Sequence, residues 1–189
     1  WTVAFPDYVS VSTSPDLEQD TVTIYFADTT SADINYLWKD IFTYRNSNFP
    51  LNPISIGVAT FDGIDQNGYP YDWSSASAHG VADYLTSKPI FLQTNSSGGT
   101  YNLADSIYLS FLYQAKGLGE APDSQDSLVL EFYSVINNTW NNIWSVSGSN
   151  AGTSWKTVII LLDNQNYFQD GFQFRFKNYG SLTGSLDHW

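Results

Sequence analysis

Hydrolytic chemistry in this chain would have to be built from very few residues. There are two histidines, His79 in a Ser/Ala-rich stretch and His188 beside the last residue, and there is no cysteine. A Ser-His-Asp relay needs a histidine between a nucleophile and an acid, and no Gly-x-Ser-x-Gly elbow marks a nucleophile. Zinc hydrolysis ordinarily takes about three protein ligands, usually with more than one histidine, and no His-x-x-x-His spacing occurs. Glycoside hydrolysis needs two carboxylates close across a groove. Of the glutamates, only Glu131 falls in a strand-like run, facing away from Leu128, Leu130 and Phe132, with no second acid two residues away. It reads as a solvent-facing strand residue and the chain as non-catalytic, a jelly-roll glycosidase being the most remote reading.

Two other residue classes could bind rather than catalyse. All but Glu18, Glu120 and Glu131 of the 19 acidic residues are aspartate. Aspartate favours turns and also supplies hard oxygen ligands to calcium, and Asp62-Gly63 and Asp65-Gln66-Asn67-Gly68 suit either use. Aromatic residues reach 17% of the chain, enough to furnish a binding surface as well as a core. Tyr69, Tyr71 and Trp73 sit in a long loop rich in Gly and Ser, where flat rings stack on sugar faces, cap a partner, or close the end of a core. Trp144 and Trp155 flank strands and read as core-closing rings, with Trp140 beside the Asn-rich turn at 137–142.

The elements that must position these residues are strands. In Gly171-Phe172-Gln173-Phe174-Arg175-Phe176-Lys177 the phenylalanines share one face and Gln, Arg and Lys the other, the period-two pattern of a half-buried strand. Ile107, Leu109, Phe111 and Tyr113 alternate with Tyr108, Ser110, Leu112 and Gln114, and Leu128, Leu130 and Phe132 with Val129, Glu131 and Tyr133. The continuous apolar run Val158–Leu162 suggests a strand covered on both faces. No helical periodicity is sustained, so the expected fold is all-β, an antiparallel β-sandwich. Residues 1–30 carry strand candidates at Val9–Val11 and Val22–Phe26, as an edge addition or the start of the same domain. A helical turn is expected around Asp33–Lys39, and residues 31–189 form the main sandwich.

Charge and hydropathy exclude two partner classes. A formal charge of −12 with only seven scattered basic residues argues against nucleic acid, whose phosphates need clustered Lys and Arg. The longest apolar run is far too short to span a bilayer, so no membrane insertion is expected. The chain opens on Trp1 with no leader before it, and is expected to be a processed or excised piece whose targeting signal lies elsewhere.

Several segments in order carry a family resemblance. Asn52–Gly63, Ala82–Ser87, Leu109–Gly119, Asp126–Phe132, Phe172–Phe176 and Leu186–Trp189 resemble a jelly-roll module of large secreted Bacteroidota proteins exported by the type IX secretion system. The match covers roughly residues 36–189. More distantly the chain resembles MAM domains and other concanavalin-like jelly rolls. The resemblance implies a jelly-roll sandwich at an extracellular or cell-surface address, acting in adhesion, display or glycan binding. The partners it implies are glycans, cell-surface proteins or proteins of the secretion machinery.

The resemblance also carries site expectations. A structural calcium would join the early loop to the closing strand through Asp62 and Asp187, with Asp126 as a third carboxylate and Asp65 on the same loop as Asp62; the competing reading makes Asp62 and Asp65 turn residues. Asp-Ser/Thr-apolar, the acceptor pattern of general O-glycosylation in that phylum, recurs at Thr21, Thr29, Ser106 and Ser127. The late Asp-x-Trp leads into a closing strand in the resembling family, so the numbered chain is expected to stop one strand short of a full sandwich.

Overall fold

The computed structural model describes residues 9–10, 38–40, 42–55, 57–95 and 98–189. The expectations for Thr21, Thr29, the Val22–Phe26 strand and residues 33–37 of the helical turn lie outside the described residues. Trp38, within the stretch expected to turn, is instead extended and bridges Ser87 in antiparallel fashion.

The chain is all-β, and its principal sheet is antiparallel throughout. Strand β4 (His79–Thr86), β7 (Ser127–Ser134), β8 (Thr139–Ser147) and β10 (Gln173–Ser181) form four strands in the order β4-β10-β7-β8. The alternation read in β10 is realised: Phe172, Phe174 and Phe176 are buried while Arg175 and Lys177 lie on the opposite face. Their inward neighbours on β7 are Leu128, Leu130 and Phe132. The hairpin joining β7 to β8 turns at Asn138, whose φ of 52° is a left-handed conformation that asparagine tolerates. Its side-chain oxygen accepts from the Tyr133 hydroxyl at 2.5 Å.

Strands β6 (Tyr108–Tyr113) and β9 (Lys156–Leu161) pair antiparallel and turn Leu109, Phe111, Val158 and Ile160 toward the main sheet. Phe111 meets Phe176 edge-on at 4.8 Å and Trp144 at 5.2 Å, so the two layers interlock through aromatic rings. Two short pairs complete the frame: β2 (Tyr44–Asn46) with β3 (Val58–Thr60), antiparallel, and β1 (Val9–Ser10) with β5 (Ile90–Phe91), parallel. The final residues run between β3 and β6. Phe61 and Trp189 exchange both backbone hydrogen bonds at 3.1 Å, and Lys116 N–H donates to the His188 carbonyl at 2.8 Å. No helix among the described residues is long and apolar enough to cross a membrane.

Two local expectations are corrected. Val158–Leu162 is covered on one face only: Ile159 is 65% exposed and Leu161 42%. Among the described residues the β6–β9 pair has no layer outside it, so the outward half of an apolar run stays in water. Glu131 is buried rather than solvent-facing, because Arg175 and Lys177 of the adjacent strand fold over it, each at 2.6 Å. Burial pushes its carboxyl up, but hydrogen bonds from Lys177 and Arg175 outweigh this and hold it below the usual range. The Arg175 guanidinium is itself held between two rings, 4.2 Å from Trp140 and 4.9 Å from Tyr84.

Candidate functional site

The polar residues collect where the loop between β3 and β4 meets the segment after β10. Close approach is required there: a Cβ on Gly63 would lie 2.3 Å from the Ser181 carbonyl oxygen. Along the loop, aspartates bend the backbone. Asp65 accepts the N–H groups of Asn67 and Tyr69, and Asp72 those of Ser74 and its hydroxyl. Hydrogen bonds from the Tyr69 and Asn67 backbone hold the exposed Asp65 carboxyl below its ordinary range. Asp65 therefore caps its own turn.

Asp62 enters a different network, beneath the loop. Its Oδ1 accepts from Ile64 N–H and its Oδ2 from the Ser185 hydroxyl at 2.9 Å. Ser185 lies 3.1 Å from His188 Nε2, which puts serine, histidine and aspartate side by side. The polarity is wrong for a nucleophile. His188 Nδ1 accepts from Glu120 N–H, so the neutral ring carries its proton on Nε2 and donates to Ser185, whose own proton goes to Asp62. The imidazole also stacks on Phe49 at 4.6 Å.

Asp62 N–H donates to Asp83, which also accepts from Tyr71 Oη at 2.7 Å, and Asn178 joins the two aspartates by bonding Asp83 N–H and the Asp62 carbonyl. Burial is the main force on Asp83, pushing its carboxyl up to about 8 against the opposing hydrogen bonds from Tyr71 and Asp62. Burial raises Asp62 as well. Both Asp83 and Asn178 sit in phase with inward apolar residues, Asp83 with Leu85 and Asn178 with Phe174 and Phe176. Asn178, the polar residue that follows Phe172, Phe174 and Phe176 in phase, was the sequence signal for this network.

Asp126 and Asp187 meet at the third cluster, joined by His79 from the head of β4. Donor atoms of the three residues all lie within 4.8 Å of one another. His79 Nε2 is 2.5 Å from Asp126 Oδ1, and Asp123 N–H donates to Asp126 Oδ2. Asp187, at φ 56°, anchors its Oδ2 on Ser181 N–H at 2.8 Å. Burial and the neighbouring Asp187 carboxylate push Asp126 upward. Of the four aspartates grouped from sequence, the structure thus brings two together and leaves Asp62 and Asp65 in separate networks. His79, set aside as a loop residue, is the third member.

Tyr69 and Trp73 stand outside these networks, 59% and 74% exposed. Their rings are 6.2 Å apart and inclined at 44°. Tyr71, grouped with them from sequence, turns its hydroxyl inward to Asp83 and anchors the loop. A cleft of about 370 Å³ adjoins Trp73, lined by Pro70, Asp72, Ser75, Ala76 and Thr183. Ala76 and Thr183 are shared with a second cleft of about 280 Å³ that contains His79 and Asp187. Of the described glycosylation candidates, Ser106 is exposed at the end of a short 3-10 turn, whereas Ser127 is half-buried at the start of β7 between two neighbouring strands.

Comparison with known protein families, with curated proteins and with solved structures finds no match.

Proposed function

We propose that this chain is a non-catalytic, extracellular β-sandwich module of jelly-roll type within a larger secreted or cell-surface protein, and that it binds glycans through Tyr69 and Trp73. The observation that carries this reading is the exposure of two large rings on a loop whose backbone is otherwise tied down. Asp65 and Asp72 fix its turns and Tyr71 pins it to Asp83, so the rings are presented at little further loss of freedom. Their mutual tilt makes a folded surface beside a cleft of mixed polar and apolar lining, which suits a single sugar or a bent chain, with Asp72, Ser75 and Thr183 as hydrogen-bonding groups. A glycan array is the direct test. Binding to at least one glycan class is expected, with Trp73→Ala weakening it tenfold or more, a loss in the range of one stacked ring. No binding on the array, or binding indifferent to Trp73→Ala and Tyr69→Ala, would overturn it.

The outer face of β6–β9 supports a second reading, docking of another protein, including one of the type IX secretion machinery. Tyr108 lies opposite Leu161 and Ser110 opposite Ile159, with Leu112 next in line, so exposed apolar side chains are contiguous across both strands.

A further inference from the structure

We propose that His79, Asp126 and Asp187 form a binding site for a divalent transition-metal ion of the zinc type. Three features of the cluster support this, and none depends on glycan binding. The first is the donor set. One imidazole nitrogen and two carboxylates match the ligand preferences of zinc-type ions, whereas calcium takes six to eight oxygens. The two carboxylates that would make an oxygen-only site, Asp62 and Asp65, are committed to Ile64 and Ser185 in one case and to an exposed turn in the other.

The second feature is uncompensated charge. Asp126 is fully buried and Asp187 is 5% exposed, and among the described residues no Lys or Arg pairs with either. The third is the closeness of two carboxylates. Asp187 anchors Oδ2 on Ser181 N–H and converges with Asp126 and His79 at the wall of the adjoining cleft. Two carboxylates held this near repel unless a cation or a shared proton lies between them.

The backbone anchors are those a metal site uses to orient its ligands: Asp123 N–H on one oxygen of Asp126 and Ser181 N–H on one oxygen of Asp187, leaving one oxygen of each for the ion. A tetrahedral ion with bonds of about 2.0–2.2 Å spaces its donors about 3.4 Å apart, so His79 and Asp126 would separate by about 1 Å. His79 is on the solvent side, and the adjoining cleft gives entry. Three protein donors leave a position for water.

The test is titration calorimetry of the 189-residue chain, stripped with chelator, with zinc and separately with calcium at neutral pH. One zinc per chain is expected, with a zinc-dependent rise in the unfolding midpoint. His79→Gln keeps a hydrogen-bonding group opposite Asp126 but removes the imidazole, and Asp187→Asn keeps an acceptor for Ser181 in a residue that tolerates the left-handed conformation. Each should weaken zinc tenfold or more while remaining folded by circular dichroism. Zinc binding unchanged in both variants would place the ion elsewhere. Calcium bound more tightly than zinc and indifferent to His79→Gln would replace the donor set proposed. No metal binding would mean that the two carboxyl groups share a proton instead; either result overturns the proposal.

Discussion

Tyr71 shows how a residue can be conspicuous in sequence for one reason and matter for another. Its aromatic neighbours Tyr69 and Trp73 face solvent, but its hydroxyl donates to a carboxylate that burial has raised to about 8. Because the folded pKa of Asp83 exceeds its ordinary value of 3.8, the folded chain holds an extra proton between these limits. Its contribution to stability therefore falls as pH rises through that window. The midpoint of urea unfolding should decline from pH 5 to pH 8.5. Tyr71→Phe removes the bond that helps the ionised form, so its effect should grow with pH, from about 1 kcal/mol at pH 5 to about 2–3 kcal/mol at pH 8.5. A pH-independent cost would show that the hydroxyl does not meet a titrating group. The sequence places Asp126 at the entrance of a strand and Asp187 beside the closing Trp189, but does not show that His79 joins them: its separations of 47 and 108 positions from the two close through the pairing of β10 with both β4 and β7 and the turn after it.

At the level of elements, period-two alternation was readable wherever a strand has one wet and one dry face. Strands β6, β7 and β10 present the apolar series read from them because each packs against the opposite layer. Strand β9 was misread because a continuous apolar run states that both faces are apolar, not that both are covered. Glu131 was misread for the converse reason. A strand's outer face is judged solvated by default, and the sequence of β7 cannot show that two long cations from β10 will lie across it. The Glu131–Arg175–Lys177 group is placed by register, with Arg175 opposite Glu131 and Lys177 opposite Val129. Glu131→Gln should lower stability by about 2 kcal/mol at pH 7, less than for a fully enclosed pair because both cations retain some solvent contact. Since the folded pKa of Glu131 is depressed, the wild-type advantage is present above about pH 4.5 and is lost as pH falls through the folded value. A double-mutant cycle with Arg175→Met measures the coupling, and a coupling near zero would remove the account.

For the molecule as a whole, two surfaces differ in character: the loop end, with its rings and acidic clefts, and the apolar outer face of β6–β9. The second should govern self-association. Ile159→Thr and Leu161→Thr, which place β-branched side chains on exposed strand positions, are expected to reduce concentration-dependent light scattering while shifting the unfolding midpoint little. Scattering that is unchanged, or already absent in the wild type, would show that the face does not associate. The rings of the loop were singled out in the sequence, whereas the β6–β9 face was not, since exposure there depends on which layer lies outside a strand. The segment at the chain's end adds a mechanical property. Trp189 is held by paired hydrogen bonds to Phe61 while His188 is held by Lys116 and Glu120 on the other flank. A pull on Trp189 along the strand loads these bonds together, in shear, instead of peeling them one at a time. Tension at this end would meet a clamp built into the core itself, since Phe61 and Trp189 are both buried there, and would leave the Tyr69–Trp73 loop in place until the clamp gave way.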